Sequence, residues 1–518
     1  MATTTPEAFG AGLRARAATP LGNLATAAVL AALGLAVTAR LPTPTPVSIV
    51  AVVGILAATI WMLCSERYEW TLVVLMLYLG LADGVLKLVT DSQPVTLVRD
   101  LLFYAIVVGA MVRMIVRRRP LVLPPLSGWV IAWVIVVLVQ IANPHDGTLL
   151  HSVASVRPHA EWVPLFFLGF FVMRSRKRLR GFLLLLLVIA AANGIVGLIQ
   201  LNLTPDQLSS WGPGYAKAIG GEASVSQRIF IDEEGEEKNR PFGLGSDMGF
   251  GGAVGVLAVP ALLAFLSLPM SPPARLGLAG LAIGVVLAVL TSEARVHVVT
   301  AVLAVIAFGV LTLTSRVGGK TLIGIVLGLT IAVGAIAFVI SEIGEGSFSR
   351  YSSIASPRQA VVTAYEYRGG VIAEVPDYVA DIPFGAGIGS RGPGGSFGGA
   401  EKSTLNGESE PTYLLIELGV PGLAVMLGFN LVLFYLSLTK IRLVDDRETR
   451  IMLAAVAAPL FALFAGWIAG VATATTPGAP YLWFAAGILS YWLVETRKRA
   501  VPSPSRGLPT ALTPRGVG

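Results

Sequence analysis

An all-α, polytopic integral membrane protein with about fourteen transmembrane helices is the fold class this sequence predicts, and three observations predict it. Of 518 residues, 54% are hydrophobic and only 13% charged, about half the charge of a soluble chain. The mean hydropathy is +0.75. The apolar residues also fall in runs of roughly 20, the length that a bilayer core of about 30 Å demands. Charge this sparse cannot cover a water-facing surface, which excludes a soluble globular enzyme, a coiled coil and a disordered scaffold.

The runs place spans at about 22–39, 46–64, 70–90, 97–116, 124–142, 160–173, 181–202, 248–268, 275–292, 296–314, 321–341, 412–438, 451–471 and 480–496. The sixth is short and begins at Glu161, and a re-entrant piece there leaves thirteen. The chain then divides into an N-terminal cytoplasmic segment 1–21, N-terminal helices 22–202, a first outer loop 203–247, central helices 248–341, a large outer loop 342–411, C-terminal helices 412–496 and a disordered cytoplasmic tail 497–518. Cys64 is the one cysteine, so neither disulfides nor a thiolate metal cluster belongs to the design.

Lysine and arginine beside short loops set orientation. With both termini cytoplasmic, the inner set is 65–69, 113–119, 174–180, 269–275, 315–320 and 439–450. With the terminal segments it holds 24 of the 38 basic residues and a minority of the 31 acidic ones. The basic balance is a topology signal, and no nucleic-acid partner is expected. The two long outer segments exceed an ordinary turn, so chemistry is expected to face outward. In the first, the acidic run 232–237 reads as a solvated tip. In the second, the apolar and aromatic residues of 361–372 are spaced as short helices over the bilayer.

Two arginines stand out against the sidedness bias. Arg240 opens Arg240-Pro241-Phe242-Gly243-Leu244-Gly245 just ahead of a span, and Arg295 ends Thr291-Ser292-Glu293-Ala294-Arg295 in a tight outer turn. A guanidinium there needs an anion, either a phosphate that matches its planar fork or an ion pair with Glu293 or Asp247. Gly385 and Gly387, in Pro383-Phe384-Gly385-Ala386-Gly387-Ile388-Gly389, allow close backbone approach to a ligand or give a flexible cover. The run lacks the setting of a nucleotide loop. Glu408, Glu410 and Tyr413 stand at the mouth of the next span. A carboxylate at a water-facing mouth can accept a proton from a hydroxyl, or serve only the helix dipole. Glu417, two turns deeper on the same face, is an intramembrane acid and a functional candidate by default. His145, His151 and His159 share one loop with Arg157, at spacings that fit no metal motif. Asp83 and Lys87, one turn apart, are placed to satisfy each other or to form a coupling-ion site.

The order of these motifs resembles the O-antigen ligase and O-antigen polymerase family over about residues 150–440. It runs from Arg240 and its Phe-Gly turn, through Thr-Ser-Glu-Ala-Arg and Pro-Phe-Gly-Ala-Gly-Ile-Gly, to Glu-Pro-Thr-Tyr-Leu and Glu-Leu-Gly-Val-Pro-Gly-Leu. The resemblance implies glycosyl transfer at the outer face of the bacterial cytoplasmic membrane. The donor is a glycan on undecaprenyl diphosphate, the acceptor a glycan or lipid, and neither cofactor nor metal is needed. Arg240, Arg295 and Arg368 would hold the diphosphate, and Glu410 or Glu408 would activate the acceptor. Glu417, Arg157, Tyr413, Gly385 and Gly387 would support them. Ligases usually present His-Asn where this chain has Glu410-Pro411, which turns the expectation from a lipid A–core ligase toward a polymerase or another lipid-linked glycan transferase. Attack opposite the departing diphosphate would invert the anomeric carbon. Two other classes remain open: a lipid-glycan flippase or transporter, expected to show midplane charges and repeated halves, and a non-catalytic envelope scaffold.

Overall fold

The computed structural model describes residues 46–91, 93–118, 122–143, 149–220, 229–231, 237–247, 249–317, 324, 328, 373–391, 405, 407–468 and 470–496. The span expected at 22–39, most of that at 321–341, both termini, residues 232–236 of the acidic run and the helices expected within 361–372 lie outside them. Six helices among these residues are long and apolar enough to cross a membrane: Tyr68–Thr90, Arg176–Leu201, Pro272–Leu290, Arg295–Thr314, Glu410–Leu443 and Arg447–Ile468. Val52–Cys64, Ser127–Ala142 and Phe250–Leu266 are shorter apolar helices.

The chain divides into two compact units, residues 1–78 with 92–121 and residues 79–91 with 122–518. In the first, α1 (Pro46–Cys64) packs on α4 (Gln93–Val116). Between them in sequence come α2 (Tyr68–Leu77), a π-helical turn (Tyr78–Ala82) and α3 (Asp83–Thr90), which belongs to the second unit. Gly109 makes the α1–α4 crossing possible, since a Cβ there would lie 2.2 Å from the Leu63 carbonyl oxygen. Arg113 donates to that carbonyl (2.5 Å) and to the Tyr68 hydroxyl (2.8 Å), and Arg117 pairs with Glu66. The basic end of α4 is thereby fastened to the 63–68 turn, so both connections lie at one end of this unit.

The second unit continues with α5 (Ser127–Val139), α6 (Leu149–Ala160), α7 (Pro164–Val172) and α8 (Arg176–Leu201). Residues 143–159, expected as a loop, are helical from Leu149 onward. The polar residues of that stretch hid the helix from a hydropathy reading. The nine residues of α7 rise only about 14 Å at 1.5 Å each, too short to cross alone. Short helices α9 (Pro205–Ser209) and α10 (Pro213–Gly220) follow, then a three-residue hairpin of Ile229–Ile231 and Glu237–Asn239, the one departure from an all-helical fold among the described residues. The remaining helices are α11 (Phe250–Leu266), α12 (Pro272–Leu290), α13 (Arg295–Thr314), α14 (Val375–Asp381), α15 (Glu410–Lys440), α16 (Arg447–Ala465) and α17 (Gly478–Ser490).

Small residues set the crossings, as van der Waals contact must where lipid is as apolar as leucine. A Cβ on Gly194 of α8 would meet the Gly284 carbonyl of α12 at 2.0 Å, and one on Gly487 of α17 the Phe166 carbonyl of α7 at the same distance. The alanine-rich α16 is the buried centre: Ile451 to Ala458 are at most 1% exposed.

The connections of this unit sort into two ends. Arg176 bonds Asp446 (3.4 Å), Arg180 pairs with Glu448 (3.7 Å), and Arg447 and Arg450 donate to the carbonyls of Val317 (3.0 Å) and Ser315 (3.3 Å). The segments 174–180, 315–317 and 439–450, all assigned to one side by their charge, therefore meet at one end. Asp446 also caps α16, accepting from the Thr449 amide at 2.9 Å and hydroxyl at 2.5 Å. Partial burial raises its pKa, but the Thr449 bonds and the Arg176 charge outweigh that and hold the carboxyl below its ordinary value. Its stabilisation is thus present above the ordinary carboxylate pKa and is lost as pH falls through the lowered one. Asp446→Asn should lower the melting temperature in detergent at neutral pH, and the gap from wild type should narrow below about pH 4. A gap independent of pH would refute the assignment.

Candidate functional site

Beyond its basic first turns α8 is apolar but for two amides, Asn193 and Gln200, and both are fully buried. Gln200 Oε1 accepts from the amides of Phe242 (2.9 Å) and Gly243 (2.8 Å), and its Nε2 donates to the Gly243 carbonyl (2.9 Å). Asn193 Oδ1 accepts from the Leu244 amide (2.8 Å), and its Nδ2 donates to the carbonyls of Gly80 and Ile189, both at 2.9 Å. These bonds satisfy a non-helical turn whose backbone groups would otherwise be costly among apolar helices. Gly243 sits at φ +67, and the Phe242 ring packs edge-on to Tyr215 over the α9–α10 cover. Burial there pushes the Tyr215 phenol up. Asp83 and Lys87 bond at 2.6 Å, and Gly84 lets their helix close on Gly245 and Ser246 of the same turn. Arg240, half-buried, therefore leads into a rigid turn.

The second arginine turn meets the first. A Cβ on Gly197 would lie 2.4 Å from Thr291 Oγ1 and 4.0 Å from Pro241 Cβ, and the Gly249 amide donates to the Pro241 carbonyl (3.2 Å). Gly249 and Gly252, at the start of α11, leave room for the His297 ring and for Ser292. Arg295, exposed, is the first residue of α13, and the buried Glu293 takes φ +49 in the turn before it. Both arginine-bearing turns thus belong to one packed joint. Thr300, further along α13, faces Gly466, the start of the segment that leads to Thr473.

The glycine run is built into a break in α15. Gly419 has φ +67 and ψ −169, with Pro421 following, and the freed backbone groups are met from outside the helix. Val420 N donates to the Pro383 carbonyl (2.8 Å), Ala386 N to the Ile416 carbonyl (2.7 Å), and Gln140 Nε2 to the Phe384 carbonyl (2.7 Å). Gly385, Gly387 and Gly389 all have positive φ, between +81 and +97. The glycines of the run thus serve a close approach to the backbone of α15. Glu417, 1% exposed, pins the run: Oε2 accepts from the Gly389 amide (2.8 Å) and contacts His159 Nε2 (2.9 Å), and Oε1 accepts from the Arg391 amide (3.0 Å). Tyr413 stacks on His159 with ring centres 5.5 Å apart and its hydroxyl 3.3 Å from Nε2.

Glu410, expected at a water-facing mouth, is fully buried. Its carboxylate accepts from the amides of Ala472 (2.5 Å) and Thr473 (3.0 Å) and from the Thr473 hydroxyl, so it ties the 472–473 segment to the start of α15. Glu408 is exposed, beside the Ser409 cap. Arg157 lies one turn from Glu161 on and beyond α6, 3.4 Å away, rather than in a loop. Arg368 lies outside the described residues. Among those residues no group of three His, Cys, Asp or Glu side chains could hold a metal ion. His159, Gln140, Asn193 and Gln200 were not singled out in the sequence as site residues. The signal available for the amides was a polar residue inside an apolar run. No family model matches the chain, and no curated protein matches its sequence.

Proposed function

We propose that this chain is a membrane glycosyltransferase of the O-antigen ligase and polymerase type. It transfers or polymerises glycan from an undecaprenyl-diphosphate donor onto a glycan or lipid acceptor, without metal or cofactor. In this reading it crosses the bacterial cytoplasmic membrane fourteen times, both termini are cytoplasmic, and the arginine joint faces outward. The observation that carries the proposal is that joint, where turns separated by about 50 residues of sequence are packed together with an arginine on each. A departing diphosphate develops negative charge, and fixed guanidinium groups stabilise it without a metal. The prenyl tail arrives from lipid, which suits a site at the helix ends. Arg368 completes the set in this reading. Glu408 is the more accessible of the two mouth carboxylates and takes the acceptor proton, and Glu410 holds the neighbouring segment in place.

The Asp83–Lys87 pair beside a π-helical turn favours a second reading, a lipid-glycan flippase or transporter. Deleting the protein in its host and profiling lipid-linked and surface glycans by mass spectrometry separates the two. Single lipid-linked repeats accumulating without long chains are expected of a polymerase, and full-length chains stranded on the carrier of a ligase. An unchanged profile would overturn the glycosyltransferase reading.

A further inference from the structure

His297 lies on the first turn of α13, two residues beyond Arg295, and its ring fills the space left by Gly249 and Gly252. Its Nδ1 is 3.1 Å from Ser292 Oγ. The single hydroxyl proton of Ser292 is already given to the Val289 carbonyl at 2.7 Å. Ser292 therefore accepts from the ring, and Nδ1 carries a proton whatever the charge of the imidazole. That fixes the tautomer and leaves Nε2 as the titrating atom, with no hydrogen bond to any described residue. Nothing in the mechanism proposed above uses this group.

Resting on the glycosyltransferase reading, we infer that His297 is a further ligand of the donor diphosphate beside the arginines, binding it by taking up a proton at Nε2 and donating that proton to a phosphate oxygen. The arrangement suits an anion for a further reason. α11 and α13 both begin beside the ring, and helix N-termini disfavour a cation until an anion arrives. The charged groups on the elements around it are Arg295 and Glu293 in its own turn and Arg240 and Asp247 on the turn entering α11. α8, α12 and α16 carry their charges at the opposite end. No covalent bond changes in this step. One proton moves from solvent to Nε2 and is shared with the phosphate.

The test is equilibrium binding of undecaprenyl diphosphate bearing one N-acetylhexosamine to the full chain in phosphatidylethanolamine–phosphatidylglycerol nanodiscs. This probe is a diphosphate diester with no proton to lose near neutrality. Between the pKa of the free ring and that of the ring in the complex, wild-type affinity should rise by up to about tenfold for each pH unit lowered, as uptake of one proton requires. His297→Gln should abolish that slope, and Arg295→Ala should weaken binding at every pH and keep the slope. A second measurement needs no variant: long-range proton–nitrogen spectra of the four labelled histidines. One ring should show a bare Nε2 with a protonated Nδ1, and protonation of both when the probe is added at neutral pH. Binding that depends on Arg295 but is flat with pH overturns the role of His297 and leaves the reading of the site standing. No binding at any pH overturns both.

Discussion

Alanine in place of Arg295 should cut glycan transfer by a factor of at least 10² to 10³, the cost of removing one fixed donor from a developing oxyanion, while the protein reaches the membrane at its normal level. The side chain is exposed at the first residue of α13, so its loss removes little packing. Arg240→Ala should fall in the same range, because Asn193 and Gln200 still hold its turn. Lysine at either position should restore only part of the rate, since an ammonium is a point charge without the planar fork that grips two phosphate oxygens. The measurement is product chain length and yield from membranes matched for protein content. Unchanged products from Arg295→Ala and Arg240→Ala together would remove the enzymatic reading. Glu410→Ala is a different experiment from the one the sequence suggests. It deprives the 472–473 segment of its acceptor and should show first as lost thermal stability.

What the sequence made legible was whatever periodicity and charge report. Helix ends fall within a few residues of expectation where an apolar run is long, as at Arg176–Leu201 and Arg295–Thr314. The inner loops named from their arginines meet at one end of the large unit through Arg176, Asp446 and Arg447. Hydropathy says nothing, however, about polar atoms that serve buried backbone. Asn193 and Gln200 read as interruptions of an apolar helix, and Glu417 as an acid awaiting an arginine. Apart from the Ile189 carbonyl in Asn193's own helix, their backbone partners are amides and carbonyls of turns 26 or more residues away, and no side-chain pattern encodes those. α6 was missed for a related reason: a helix that buries Ser152, Ser155 and His159 has no apolar face for a periodicity search to find.

Glu417→Gln should lower the melting temperature markedly, and the reason is a count of donors. The carboxylate accepts from the Gly389 amide, the Arg391 amide and the His159 ring. A carboxamide keeps one acceptor oxygen and sets its NH2 against a donor. At least one amide, of Gly389 or Arg391, loses its acceptor, and bonds that had been to a charge become neutral. An unsatisfied buried donor costs about 1–3 kcal/mol, and a hydrogen bond to a charged group contributes about 1.5–3 kcal/mol. The loss falls where the backbone is most dependent on it. Gly385 lies so close to Gly419 that a Cβ would come within 2.8 Å of the Gly419 amide nitrogen, so this approach holds only while the α15 break and the glycine run stay in register. Glu417→Gln should therefore also open the 383–391 segment to protease before global unfolding, whereas His159→Gln, which leaves both amides paired, should open it less. Equal protease protection in wild type and Glu417→Gln would show that the run is held by Val420, Ala386 and Gln140 alone.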